Sequence, residues 1–300
     1  MTHSRAVLLM VLVTLMWSIA GVVTRHLQAA ESFEVTFWRS AFTALALSVA
    51  LPAMRGAAWW YDVRRARWPL WASGVCWAVM FTAFMVAITL TKVANVLVTL
   101  AIAPLVTALF ARVVLHHKLP RRTWAAMAVA GTGIAWMFGR EMQLGGAALG
   151  GMAVALAVPL AAATNWTLLQ HVAHGSGDPD EPAQDMLPAV WIGAVLSALA
   201  TLPLAWPLRA SSHDLVLLAL LGVVQLAIPC LLAVWLARVL PGPEIALLAL
   251  LEVVFGVAWA WLGASEAPSR ASLTGGTLVL AALTGNELLA LRQRMRAVPR

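Results

Sequence analysis

The sequence predicts an all-α integral membrane protein, with ten transmembrane helices arranged as two inverted five-helix repeats. Three observations carry this prediction. Hydrophobic residues make up 62% of the 300 and charged residues only 11%, whereas soluble globules carry about 25% charged residues. One stretch, Glu244–Ala264, is apolar on every face for 21 residues. As a helix it reaches ~30 Å, the thickness of a bilayer's hydrocarbon core. At an offset of 148 residues it lands on Val96–His116, a second such stretch, with Pro104 at the position of Glu252.

Apolar segments bounded by charge, Pro or Gly place the spans at 5–25, 33–53, 68–90, 95–115 and 123–139, then 147–172, 186–206, 215–237, 244–264 and 271–291. The first opens with Met-Thr-His-Ser-Arg and runs apolar from Ala6 to Val23. That run is too long for a signal-peptide core, so an uncleaved first helix is expected. A Pro-Gly-Pro break at Pro241–Pro243 opens the ninth span. No span alternates with a period of two, as a membrane β-strand would. Both cysteines, Cys76 and Cys230, fall inside apolar spans and outline no disulfide framework.

Lys and Arg set the orientation. With the N-terminus in the cytoplasm, the inner segments hold Arg5, Arg55, Arg64, Arg65, Arg67, Lys118, Arg121, Arg122, Arg238, Arg292, Arg294, Arg296 and Arg300. The outer loops hold Arg25, Lys92, Arg140, Arg209 and Arg270. This bias puts both termini in the cytoplasm. One inner loop dissents: His174–Asp185 has four acids and no base. Acidic residues weigh little in the rule, and its Gly-Ser-Gly reads as flexible linker.

Five spans per half make the second half enter the membrane upside-down, as in many secondary transporters. Residues 1–140 form the first repeat and 141–300 the second. At the 148 offset Gly74 meets Gly222, Val75 meets Val223, Pro120 meets Pro268 and Arg122 meets Arg270.

Several short motifs fall in a characteristic order. Trp17 precedes a basic span end at Arg25, Phe37-Trp38-Arg39 opens the second span, Pro104 marks the fourth, and Leu251-Glu252-Val253-Val254-Phe255 sits in the ninth. With its ten spans the chain resembles the drug/metabolite transporter superfamily, EamA type, and within it the YddG-like amino-acid exporters. The resemblance implies a central cavity between the repeats, formed mainly by spans 1, 3, 4, 6, 8 and 9. It also implies alternating access and export of amino acids, aromatic and large apolar ones included, across a bacterial inner membrane. Where relatives often carry a Glu after the fourth span, this chain has His116-His117-Lys118. The equivalent salt bridge is left to Glu266 in the second half.

Glu252 is the sharpest candidate for substrate binding, because an ionisable side chain at mid-membrane is costly. It is either the partner of a substrate ammonium or proton carrier, or a carboxyl that locks the ninth span to a neighbouring helix. Pro104, Pro159 and Pro229 lie at mid-depth. Each removes a backbone donor and frees a carbonyl one turn earlier. Trp77, Met80 and Phe84 share one face of the third span, with Gln225 opposite Trp77 at the repeat offset. Such a face could hold a large apolar side chain, or could simply pack. Trp17 and the Asn165-Trp166 pair are read the same way, Asn165 the more telling because its amide needs a partner in hydrocarbon. Trp77→Ala is therefore expected to change substrate choice more than protein level.

Trp59, Trp60, Trp68, Trp71 and Trp206 read as interfacial anchors. Arg39, near the outer end of its span, reads as a clamp that snorkels or pairs with Glu31 or Glu34. No Lys or Arg sits at mid-depth, which argues against phosphate-bearing substrates. Metalloprotease, intramembrane-protease and ATP-binding motifs are missing from the sequence, so an enzyme is not expected and a gradient must supply the energy. The expected partners are a small-molecule substrate, membrane lipid and, as candidate coupling ions, protons. No cofactor, metal or nucleic acid is expected. Two alternatives stay open, efflux of lipophilic cations and a non-transporting membrane scaffold.

Overall fold

The computed structural model describes residues 3–56, 59–114, 120–143, 147–173, 185–236, 239–240 and 242–297. All secondary structure among them is helical. The first half comprises α1 (His3–Ser18), α2 (Ala20–Thr24), α3 (Ser32–Arg55), α4 (Trp59–Arg65), α5 (Trp68–Leu90), α6 (Val93–Leu100), α7 (Ala103–Val114) and α8 (Arg121–Gln143). The second comprises α9 (Ala147–Ala155), α10 (Ala157–Ala173), α11 (Pro188–Ala205), α12 (Ser212–Leu220), a π-helical segment (Leu221–Ala227), α13 (Ile228–Leu236), α14 (Gly242–Ala264) and α15 (Arg270–Ala297).

Seven helical stretches among the described residues are long and apolar enough to cross a bilayer, and Leu248–Ala264 is a shorter apolar helix. The predicted fifth and tenth spans coincide with α8 and α15, which are long but carry more polar and charged residues. They pack closely on each other at glycine. A Cβ on Gly133 would lie 2.7 Å from the Gly275 carbonyl oxygen, and one on Gly275 would lie 2.6 Å from that of Gly133. Small residues let helix backbones approach, which is how membrane helices associate without a hydrophobic drive between them.

The mid-span prolines act as their chemistry requires. A proline at position i cannot donate to the carbonyl of i−4. Accordingly α6 ends at Leu100, four residues before Pro104, and α9 ends at Ala155, four before Pro159. Pro229 leaves the carbonyl of Gln225 without its α-helical donor, and Gln225 lies in the π-helical segment. The first span also breaks, at Ile19, where Thr14 and Ser18 hydroxyls donate to the Val11 and Leu15 carbonyls at 2.7 Å each.

Helix α11 packs on α3 and α5, α10 on α5 and α7, α1 on α14 and α13, α14 on α6, and the π segment on α3. Polar clamps tie these pairs. Ser197 shares hydrogen bonds with Ser40 at 2.9 Å and Thr82 at 2.8 Å, and Asn95 accepts from Ser272. Thr123 donates to Asn286 at 3.1 Å.

The two ends of the bundle are laced differently. At one end Arg25 Nε donates to Glu266 at 2.6 Å and its Nη2 to the Thr91 carbonyl at 2.7 Å. Glu266 also accepts from the Val93 amide at 2.6 Å, so the predicted role of Glu266 in a salt bridge holds, with Arg25 as partner. At the same end Asp214 accepts from the amides of Gln28, Ala29 and Ala30 at 2.8–3.1 Å. At the other end Arg55 pairs with Asp185 at 3.1 Å. The remainder of the acidic loop, 174–184, and His116-His117-Lys118 lie outside the described residues.

One interfacial anchor is corrected. Trp60, Trp68, Trp71 and Trp206 are exposed, but Trp59 is buried. Its ring lies 4.2 Å from that of Trp60 and 5.4 Å edge-on from Trp191, so aromatic packing outweighs the interface.

Candidate functional site

Three apolar clusters form the core. One gathers Val35, Phe84, Ile88 and Val96 with residues of α8, α14 and α15. A second gathers Leu47, Trp77, Phe81, Ile192 and Cys230. The third joins Ala6, Met10 and Val13 to Ala233 and Leu236. Met80 packs against the first two and Trp17 against the last two. The polar groups of interest sit where these clusters meet.

Arg39 lies between a ring of the first cluster and a ring of the second, and here the structure overturns an expectation. Its side chain is 2% exposed, with the guanidinium carbon 5.6 Å from the Phe84 ring centre and 6.0 Å from that of Phe81. It neither snorkels nor pairs with Glu31 or Glu34. Glu31 pairs with Arg209 at 3.3 Å. Glu34 is taken by the amides of Arg209 and Ala210, both at 2.8 Å, and by the Trp38 indole at 3.3 Å. Seven residues into α3, Arg39 lies about 10 Å along the helix from its first turn, where its neighbours are rings. A buried cation therefore exists in the membrane interior, and the exclusion of anionic substrates for want of one loses its ground.

Glu252 lies within electrostatic reach of Arg39, and so does Cys230. Glu252 is half-buried, on the ninth-span helix α14. The Trp17 indole N–H donates to the Cys230 sulfur, and the Trp17 carbonyl accepts from Gln225 Nε2 at 3.2 Å. Gln225 is 2% exposed, and its Oε1 has no hydrogen-bond partner. The π segment is held against α3 just beside Arg39. A Cβ on Gly222 would come within 2.6 Å of the Arg39 carbonyl oxygen, and Thr43 Oγ1 donates to the Gly222 carbonyl at 2.9 Å. π-Helical turns inside α-helices are frequent at functional sites.

Of the predicted residues, Phe84 lies against Arg39 and Glu252 within its electrostatic reach, Trp17 and Gln225 bond to each other, and Met80 packs between the clusters. Trp77 lies on the α5 face that meets α11, where a Cβ on Gly193 would be 2.3 Å from its own Cβ. Its ring is 5.4 Å from Phe81. Asn165 is buried elsewhere and accepts from Ser73 Oγ at 2.6 Å, its Nδ2 without a partner. Trp166 and Pro104 are partly buried on α10 and α7. Sequence reasoning missed Phe81, although it follows Trp77 by one helical turn, and it set Arg39 at too shallow a depth.

Discontinuous helices around a buried charge are the arrangement in which many secondary transporters form their sites. Residues 4–139 match the EamA-like transporter family. That match covers somewhat less than half of the chain, and the family it names is one of membrane transporters. The EamA-like match includes Trp17, Arg39, Phe81 and Phe84. Among curated proteins no relative matches. One solved crystal structure is similar over 97% of this chain and 99% of its own, with TM-score 0.67 and 19% identity. At that identity the likeness is one of fold alone.

Proposed function

We propose that this protein exports amino acids, aromatic and large apolar ones included, from the bacterial cytoplasm by alternating access of two inverted five-helix repeats, 1–140 and 141–300. The observation that carries this reading is Glu252, a carboxylate on an apolar helix, set beside the aromatic surroundings of Arg39. It supplies a partner for a substrate ammonium, and Trp17, Phe81 and Phe84 supply apolar surface for a side chain.

The helix packing supports the repeat. If the five predicted spans of each half are exchanged, the pair α1–α14 becomes α10–α7, and α5–α11 becomes the π segment with α3. The pair α5–α10 becomes α13–α1, while α3–α11, α6–α14 and α8–α15 return to themselves. A packing pattern that maps onto itself is what two copies of one unit produce. The lacing also supports the topology. Arg25, Lys92 and Arg209, assigned to outer loops, meet at one end, and Arg55 meets Asp185 at the other. The Lys and Arg bias assigns that second end, with both termini, to the cytoplasm.

Efflux of lipophilic cations would use Glu252 in the same way, but a buried Arg39 beside it repels a bare cation. Vesicles containing the purified protein and supplied with labelled tryptophan, threonine or a lipophilic cation test the proposal. Movement of the amino acids is expected. Movement of the cation alone would replace the reading with drug efflux, and movement of none would leave a scaffold. A pH gradient across the same vesicles tests whether protons are the coupling ion.

A further inference from the structure

We propose that Arg39 binds the carboxylate of the transported substrate while Glu252 receives its ammonium group, so that the site selects zwitterions. This deepens the amino-acid reading and rests on it.

The guanidinium is 2% exposed, yet its Nε and Nη1 have no hydrogen-bond partner. Buried polar groups in native structures are nearly always satisfied, and a buried cation is the costliest to leave unpaired. The two carboxylates nearest in sequence, Glu31 and Glu34, are engaged by Arg209 and Ala210 at the end of the bundle. Glu252 lies one helical turn from Gly256, where a Cβ would come within 3.4 Å of the Ser18 carbonyl oxygen at the end of α1, and it feels the charge of Arg39 without a hydrogen bond to it. One cation and one anion are thus held apart across the boundary between the first and last thirds of the chain. An α-amino acid carries the complementary pair on a single carbon, and the planar guanidinium fork fits the two oxygens of a carboxylate.

Two further features fit a zwitterion. Gln225 spends its amide donor on the Trp17 carbonyl, which leaves Oε1 as a buried acceptor without a partner, suited to an ammonium group. The rings of Phe81 and Phe84 hold the guanidinium in place by cation–π contact and bring apolar surface beside it. The charges of Arg39 and Glu252 cancel, so neither a dianionic phosphate nor a bare cation is matched.

The test uses the full chain in vesicles, with labelled phenylalanine as substrate and two competitors. Phenethylamine lacks the carboxylate and 3-phenylpropionate lacks the ammonium. In the unaltered protein phenethylamine should compete about tenfold or more weakly than phenylalanine, the value of one charge-assisted hydrogen bond. Arg39→Gln should weaken phenylalanine by a similar factor and abolish its advantage over phenethylamine. Glu252→Gln should instead spare competition by 3-phenylpropionate. Equal competition by phenethylamine and phenylalanine in the unaltered protein overturns the proposal, and that comparison needs no variant to fold. So does an Arg39→Gln protein that still prefers the carboxylate. If the vesicles move no amino acid, the amino-acid reading fails by itself. Thermal protection of the solubilised protein by 3-phenylpropionate, but not by its amide, would then uphold the carboxylate site, and protection by neither would remove it.

Discussion

Arg25 and Glu266, separated by 241 residues in the chain, meet at 2.6 Å. Glu266 also accepts from the Val93 amide, so one carboxylate joins the end of α2, the start of α6 and the loop after α14. Under the proposed alternating access, this bond must break for that end to open.

Glu266→Gln keeps the shape of the side chain and removes its charge. The pair is 27% and 14% exposed, so a loss of about 1–2 kcal/mol is expected, between exposed and buried ion pairs. Thermal unfolding in detergent measures it. A cysteine at Lys92 should also be labelled faster by a membrane-impermeant maleimide in the Glu266→Gln background.

Asp185→Asn supplies the contrast. Its bond to Arg55 is more exposed, 40% and 32%, and such pairs contribute about 0–1 kcal/mol. Unfolding should shift little, and high salt should erase the difference.

Gly222→Ala should be strongly damaging. The added methyl would sit 2.6 Å from both the Arg39 carbonyl oxygen and the Phe42 Cβ, and 3.0 Å from the Thr43 amide nitrogen. The backbone atoms on that list cannot turn aside as a long side chain does. Overpacking of this kind costs about 1–3 kcal/mol. A lower midpoint of thermal unfolding, together with weaker phenylalanine transport through displacement of Arg39, is the expected result.

Glu252→Gln should reduce amino-acid transport by about tenfold or more if its charge meets the substrate ammonium, since a charged hydrogen bond is worth about 1.5–3 kcal/mol. Membrane insertion and yield should be unchanged. Initial rates in vesicles, normalised to inserted protein, decide the matter.

Trp77→Ala now carries a different expectation from the one its sequence position raised. Trp77 is 6% exposed, and its helix face meets α11 at Gly193. Removing so large a buried ring costs about 3–5 kcal/mol. Protein yield and melting temperature should therefore fall first, and Phe84→Ala, beside Arg39, should be the variant that changes substrate preference.

The helices themselves were legible in the sequence because lipid imposes length and apolarity on each span locally. The stretches 33–53, 68–90 and 186–206 match α3, α5 and α11 to within a few residues. The prolines were legible too, since a missing N–H acts on its own helix wherever the rest of the chain lies. Glu252 stood out for the same reason, as one charge against an apolar background. Apolar length was a poorer guide at α8 and α15, where glycine packing between helices takes over part of the work of burial.

The partners of Arg39 were not legible. Depth counted along one helix placed it near an interface with Glu31 and Glu34 in range, and nothing local says which carboxylate is already taken. That depends on Arg209 and Ala210, some 175 residues on, and on Phe81 and Phe84 arriving from a different helix. Sequence by itself determined what each segment must be, because the bilayer acts on segments one at a time. Which charges face each other was decided only by the tertiary structure, because electrostatic pairing acts across space between helices the chain keeps far apart.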